Sequence, residues 1–163
     1  MDYIIREMRQ GEAHLLDGFL YEAIWTPAGV PSPPRTILQA PELQVYVVGF
    51  GERAGDTALL AEIDGKVIGA AWARIMDDYG HIDDDTPSLA ISLYQEYRGN
   101  GIGTAMLREM LCLLKQKGYK SVSLSVQKAN YAVKLYHRVG FQIVHEHDEE
   151  YIMACDLWKK VQC

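Results

Sequence analysis

The sequence predicts an α/β or α+β layer, with helices covering a mixed sheet. Three observations carry this. Two apolar runs are joined by a tight Asp-Gly turn, one strand runs straight into a glycine-rich turn and a long amphipathic helix, and the remaining segments alternate between strand and helix periods. The chain has 163 residues, enough to bury a sizeable core, and residues 1–163 are expected to form a single domain.

Tyr3 to Met8 alternates as a first strand, and Gly11 to Ile24 carries Leu15, Leu16, Phe19, Leu20 and Ala23 at helical spacing. Thr26 to Pro34 holds four of the six prolines. Proline removes a donor and fixes φ, so this stretch reads as a loop. Thr36 to Phe50 is mixed in pattern and reads as partly helical. Ala58 to Ile63 and Lys66 to Ile75 form a hairpin about Asp64-Gly65, because a type I′ turn needs positive φ at both central positions. Ser88 to Tyr94 is the next strand, and a helix follows from about Gly101 to Lys117. Its apolar stripe is Ile102, Ala105, Met106, Met110, Leu113 and Leu114, and Gly118 stops it. Ser121 to Val126 is a strand, Asn130 to Val139 a short helix, and Phe141 to His145 and Tyr151 to Leu157 are two final strands.

The bulk numbers exclude several classes. Hydrophobic residues at 48% and charged residues at 23% are those of a globular protein. A net charge of −6 argues against nucleic acid as a partner, which needs a basic face, and permits a cationic small molecule or basic peptide. No apolar run is long enough to span a bilayer, and Met1 to Gln10 lacks the apolar stretch of a signal peptide, so no membrane partner and a cytoplasmic location are expected. Cys112, Cys155 and Cys163 are odd in number and widely spaced, which reads as free thiols in a reducing compartment, with Cys112 in the core. His145 and His147 would share one strand face, but two ligands without a third make no metal site, so no metal is expected.

The informative stretch runs from Leu93 to Thr104, where Gly99, Gly101 and Gly103 alternate at the start of a helix. Free N–H groups and partial positive charge at a helix N-terminus, reached through glycines that let a ligand approach the backbone, suit a phosphate or diphosphate. Arg98 adds a cation beside them. Such glycines can equally do no more than make the turn. The spacing matches neither the G-x-G-x-x-G dinucleotide fingerprint nor the Walker pattern, which disfavours a nucleotide-binding module.

The R-G-N-G-I-G run resembles the R/Q-x-x-G-x-G/A signature of the GCN5-related N-acetyltransferases (GNAT). Leu89 to Leu93 followed by Glu96-Tyr97-Arg98 resembles that family's strand and turn. Asn130, Ala132, Leu135-Tyr136 and Gly140-Phe141 resemble its N-x-x-A-x-x-L-Y-x-x-x-G-F element, and the Gly65-to-Gly69 hairpin resembles its central hairpin. The likeness covers about residues 58 to 157, and Gln95 departs from it where the family commonly has proline. It implies a mixed, mostly antiparallel six- to seven-stranded sheet with splayed central parallel strands, flanked by about four helices.

The resemblance further implies an N-acetyltransferase that moves the acetyl group of acetyl-CoA to a primary amine by direct attack in a ternary complex. A non-catalytic acyl-CoA sensor on the same fold is the alternative. Leu93 would offer backbone groups to the pantetheine, and Arg98, Gly99, Asn100, Gly101, Ile102, Gly103 and Thr104 would surround the diphosphate. Asn130 would approach the pantetheine, although an asparagine there can also serve as a helix N-cap. Tyr136 would protonate the departing sulfur as general acid, against the plainer reading of a packed aromatic. The base is open among Glu62, the acidic run Asp83, Asp84 and Asp85, and a water relay, and a charge run is more often a solvated loop. The Trp25–Pro34 segment and the Asp77–Asp85 loop are expected to flank the thioester, with the acidic loop drawing in a small-molecule or peptide amine. The strand from Tyr151 to Trp158 reads as an exposed edge that could pair in a homodimer.

Overall fold

The computed structural model describes residues 2–163. One sheet of seven strands organises them. The strands are β1 (Ile4–Glu7), β2 (Thr57–Ile63), β3 (Lys66–Arg74), β4 (Ser88–Leu93), β5 (Ser121–Gln127), β6 (Gln142–Glu146) and β7 (Glu150–Asp156), in spatial order β1-β2-β3-β4-β5-β7-β6. All neighbours are antiparallel except β4 and β5, which are parallel. The expected hairpin is present, with Asp64 at φ 50° and Gly65 at φ 80°, the pair of positive angles its turn requires.

The helices are α1 (Leu15–Ala23), α2 (Pro41–Gln44), α3 (Ile102–Gln116), α4 (Ala132–Val139) and α5 (Leu157–Lys160). Alternation along the strands divides the core between the two faces of the sheet. Leu59, Ala61, Leu89, Leu93, Val122, Leu124, Val126 and Met153 meet Met106, Met110 and Leu114 of α3, Val139 of α4 and Leu157 of α5. Ala58, Leu60, Ala70 and Trp72 meet Leu16, Phe19 and Leu20 of α1, with Tyr46, Val47 and Phe50 from the segment after α2.

That segment has little regular structure of its own, which explains the mixed pattern of Thr36 to Phe50. A 3-10 turn over Arg35–Gln39 leads into the four-residue α2. Side chains from the sheet then hold the rest. Trp72 Nε1 donates to the Tyr46 carbonyl at 3.1 Å. The fully buried Arg74 donates to the carbonyls of Val45 (3.2 Å) and Val48 (2.8 Å), and forks onto Asp56 at 3.0 and 2.9 Å.

Two expectations are corrected. β7, which holds Tyr151, lies between β5 and β6, so the sheet edges are β1 and β6. The last hairpin folds its second arm inward because Tyr151, Met153 and Cys155 supply the apolar face, whereas β6 is exposed along its whole length. Cys112 and Cys163 are not free. They form a disulfide with Cα atoms 5.6 Å apart that ties the C-terminal segment to α3, and Cys112 is only half-buried. The compartment inferred from free thiols loses that support. Cys155 remains a thiol, and burial pushes it up to about 11. Among the described residues no helix is long and apolar enough to cross a membrane.

Candidate functional site

β4 and β5 pair at one register position, Ser88 opposite Ser123, where the Ser123 N–H donates to the Pro87 carbonyl at 3.0 Å. Beyond it the two parallel strands part, and a gap opens between the C-terminal halves of β4 and β5. Tyr94 N–H bonds Ile68 on the β3 side at 3.0 Å. The alternation of an antiparallel ladder therefore turns the main-chain groups of Ile91 and Leu93 toward the gap. Leu93 thus stands where a ligand lying between the strands would meet its N–H.

The glycine turn lies at the mouth of this gap. Gly99 and Gly101 have φ of 80° and 81°, and a Cβ at either would meet nothing within 4 Å, so both face open space. Gly101 is the N-cap of α3 and supplies no side-chain acceptor, and the first in-helix bond there is from Ala105 N–H to the Gly101 carbonyl at 3.1 Å. The amides of Ile102, Gly103 and Thr104 are consequently left to an external partner. An open, amide-lined concavity at the positive end of a 15-residue helix fits a diphosphate. Asn100 stays in the turn, its amide donating to the carbonyls of Tyr97 and Arg98, each at 3.3 Å.

Arg98 is oriented differently from the expectation. Its Nε donates to the Leu93 carbonyl at 3.0 Å, and Nη2 reaches the Glu22 carbonyl at 3.4 Å and the Glu22 carboxylate at 3.6 Å. The guanidinium braces the exit of β4 against the end of α1. This placement depends on α1, which the local motif does not contain.

α4 comes from the other wall of the gap. Asn130 Oδ1 accepts the Ala132 N–H at 2.9 Å, so its side chain starts the helix in the manner of a cap. The helix ends as Phe141 N–H returns to the Tyr136 carbonyl at 2.9 Å and Gly140 N–H to that of His137 at 3.2 Å. Tyr136 meets Phe141 edge to face, with ring centroids 5.8 Å apart, and packs against the α3 core. Burial pushes its phenol up to about 12. It therefore holds its proton throughout the neutral range.

The acidic groups named from the sequence do not gather at one point. Glu62 accepts Arg6 Nε at 2.7 Å, within a cluster that also contains Glu12, and it lies on β2, two strands from the gap. Asp83 accepts the Asp85 N–H at 2.9 Å, and with Asp84 and Asp85 it forms an exposed turn. Hydrogen bonds from Thr86 and Asp85 lower the Asp83 carboxyl. His145 and His147 pack edge to face, 4.6 Å apart, by the exposed edge strand.

Asp78 is different. It accepts Ser88 Oγ at 2.7 Å, at the position where β4 and β5 begin to part. Tyr46, a residue not singled out from the sequence, is buried in the core on the α1 face of the sheet. Burial, followed by the Asp78 charge, raises the Tyr46 phenol well above its ordinary value. No local motif marks Tyr46. Only the tertiary contacts from Trp72 and Arg74 deliver it here.

Comparison with known proteins agrees with this geometry. The model of the acetyltransferase (GNAT) family matches residues 19–141. The chain is 37% identical over 86 residues to a probable N-acetyltransferase camello of Xenopus tropicalis, a match covering 51% of this chain and 37% of that protein. An N-alpha-acetyltransferase of Sulfurisphaera tokodaii is 30% identical over 114 residues, covering 60% of this chain and 68% of that one. The chain thus spans well under two thirds of some curated relatives and about two thirds of another. Among solved structures, PaiA N-acetyltransferase from Thermoplasma acidophilum in complex with coenzyme A superposes with a TM-score of 0.71 at 22% identity, covering 96% of this chain and 99% of that one. The fold and the opening between β4 and β5 therefore define an acetyltransferase-type domain, and the chain belongs to the GNAT family. Proteins of this family are acetyl-CoA-dependent acyltransferases.

Proposed function

We propose that residues 1–163 form a single catalytic domain that transfers the acetyl group of acetyl-CoA to a primary amine, by direct attack in a ternary complex. The observation that carries this is the open ring of main-chain amides from Gly99 to Thr104 at the mouth of the gap between β4 and β5. In this reading, Gly99, Asn100, Gly101, Ile102, Gly103 and Thr104 hold the diphosphate, and Leu93 bonds the pantetheine along β4. Asn130 faces the same arm from the start of α4. Arg98 holds the turn in place and adds positive potential at short range.

Acetyl-CoA supplies the activated thioester. The amine nitrogen forms a bond to the acetyl carbon, the carbon–sulfur bond breaks, and the thiolate takes a proton from Tyr136. Burial keeps the phenol protonated through the neutral range, so Tyr136 enters the reaction in its acid form. A proton shed by the nitrogen restores Tyr136, and the net products are the acetamide, free thiol and one proton to solvent. Nothing in this scheme needs a covalent enzyme intermediate or a metal.

The test is thiol release and product mass over a panel of amines, amino acids and peptides with acetyl-CoA. Tyr136→Phe is expected to lower kcat by about 10²–10⁴-fold while leaving acetyl-CoA affinity unchanged. An unchanged kcat in that variant removes Tyr136 from the acid role. Absence of acetyl-CoA binding by the wild-type protein removes the whole reading.

A further inference from the structure

Arg98 lies within reach of two anions. It immediately precedes the amide ring that suits a diphosphate, and its Nη2 is 3.6 Å from the Glu22 carboxylate at the end of α1. We propose that Glu22 is a positioning residue that ties the cofactor turn to the loop after α1: its carboxylate and the cofactor diphosphate share the Arg98 guanidinium, so each loosens the other's hold on it. This rests on the acetyltransferase reading above and adds to it the contact that joins the cofactor side of the gap to the α1 side.

Hydrogen bonds place Arg98 at the mouth of the gap. The Leu93 carbonyl turns toward the gap, because it is Tyr94 N–H that bonds β3. Arg98 Nε donates to that carbonyl at 3.0 Å. Nη2 then reaches across to α1, where it donates to the Glu22 carbonyl at 3.4 Å and meets the Glu22 carboxylate. Both side chains are partly open, 41% for Arg98 and 30% for Glu22, so an incoming anion reaches the same guanidinium.

Glu22 gains nothing from its own helix. It lies in the last turn of α1, which holds no basic residue, and the carbonyl end of a helix disfavours a carboxylate. Among the described residues its ion-pair partner is Arg98. The body of α1 is fixed on β4, since Ser92 Oγ donates to the Phe19 carbonyl at 2.6 Å and the Phe19 and Tyr94 rings lie 5.0 Å apart. What Arg98 governs is therefore the last turn and the loop that leaves it. Tyr21, in that same turn, donates its hydroxyl to the Pro33 carbonyl at 2.6 Å and carries the Arg35 guanidinium over its ring, so residues 24–34 fold back on the end of α1. A diphosphate that draws Arg98 away relaxes the base of this loop. By linkage, a loop that settles on α1 through Glu22 weakens the grip on the cofactor to the same degree.

A double-mutant cycle read by calorimetry with coenzyme A tests this, on the wild-type protein, Glu22→Gln, Arg98→Gln and the double variant at low salt. Glu22→Gln keeps the side-chain shape and the main-chain acceptor for Nη2 while removing the rival charge. It is expected to bind coenzyme A about 2–5-fold more tightly, the scale of a partly exposed ion pair, and the gain should fade in ~0.5 M salt. A merely structural glutamate would lose affinity on replacement. Arg98→Gln should bind more weakly, and adding Glu22→Gln to it should bring no further change. On the loop side, the Trp25 indole N–H signal in NMR should shift when coenzyme A is added to the wild-type protein and stay in place in Glu22→Gln. Unchanged or weaker binding by Glu22→Gln, an equal gain in the Arg98→Gln background, or a Trp25 signal that responds alike in both proteins would overturn the proposal and leave the acetyltransferase reading standing. That reading itself falls if the wild-type protein binds no coenzyme A.

Discussion

Asp56 and Arg74 form a pair with side-chain exposures of 1% and 0%, and replacing Asp56 with Ala tests what that pair holds. Arg74 gives Asp56 two hydrogen bonds, at 3.0 and 2.9 Å, and its remaining partners are the carbonyls of Val45 and Val48 and the face of Phe50. Asp56 also accepts the backbone N–H groups of Gly51 (2.8 Å) and Arg53 (3.3 Å). Without the carboxylate, the guanidinium stays buried with its charge uncompensated. Breaking a buried pair from one side costs about 3–5 kcal/mol. A domain of this size loses about 2–4 °C of melting temperature per kcal/mol, so the fall should be about 6–20 °C. Calorimetry at pH 7 measures it, with Asp56→Asn expected to fall between wild type and Asp56→Ala because it keeps an acceptor without the charge. A shift below about 2 °C for Asp56→Ala would refute the reasoning, since Arg74 would then have found solvent and the 45–56 segment would be held without the buried pair.

Two further outcomes follow from particular contacts. Hydrogen bonds from the Arg6 guanidinium and the Arg9 N–H lower the Glu12 carboxyl from 4.5 to about 2. Its contribution to stability is therefore complete above its unfolded value of 4.5 and is lost as pH falls toward about 2. Glu12→Gln should flatten that stretch of the stability–pH curve, and an unchanged slope would contradict the assignment. The Cys112–Cys163 bridge closes a sequence separation of 51, so reduction or Cys163→Ser should destabilise by about 2–4 kcal/mol in denaturant titrations. Free-thiol titration of the unreduced, unfolded protein should find Cys155 alone, and three reactive thiols would contradict the bridge.

What could be read from the sequence was what local physics decides. The β2–β3 hairpin is written in Asp64-Gly65, and α3 in its apolar stripe and in the glycines at its start. Spaced motifs also marked two stretches that border the gap between β4 and β5, β4 with its turn and α4 with Tyr136. The rest depends on partners distant in the chain. The segment around Tyr46 has no period to detect, because a 3-10 turn and a four-residue helix are held by Trp72 and Arg74, which lie 26 to 29 residues away. Arg98 could not be aimed without α1, nor Cys112 paired without the C-terminal segment packed beside it. The final hairpin was visible as two strands, but which arm joins β5 depends on the match of Val122, Leu124 and Val126 with the apolar face of β7, a non-local choice.

The account rests on the unpaired amides at the start of α3. An amide-resolved NMR titration of the protein with coenzyme A tests this most directly. The account predicts the largest shifts at Gly99, Gly101, Ile102, Gly103 and Thr104, with smaller ones at Leu93 and Asn130. Saturable binding that leaves these amides in place, with shifts gathered on another surface, would contradict it.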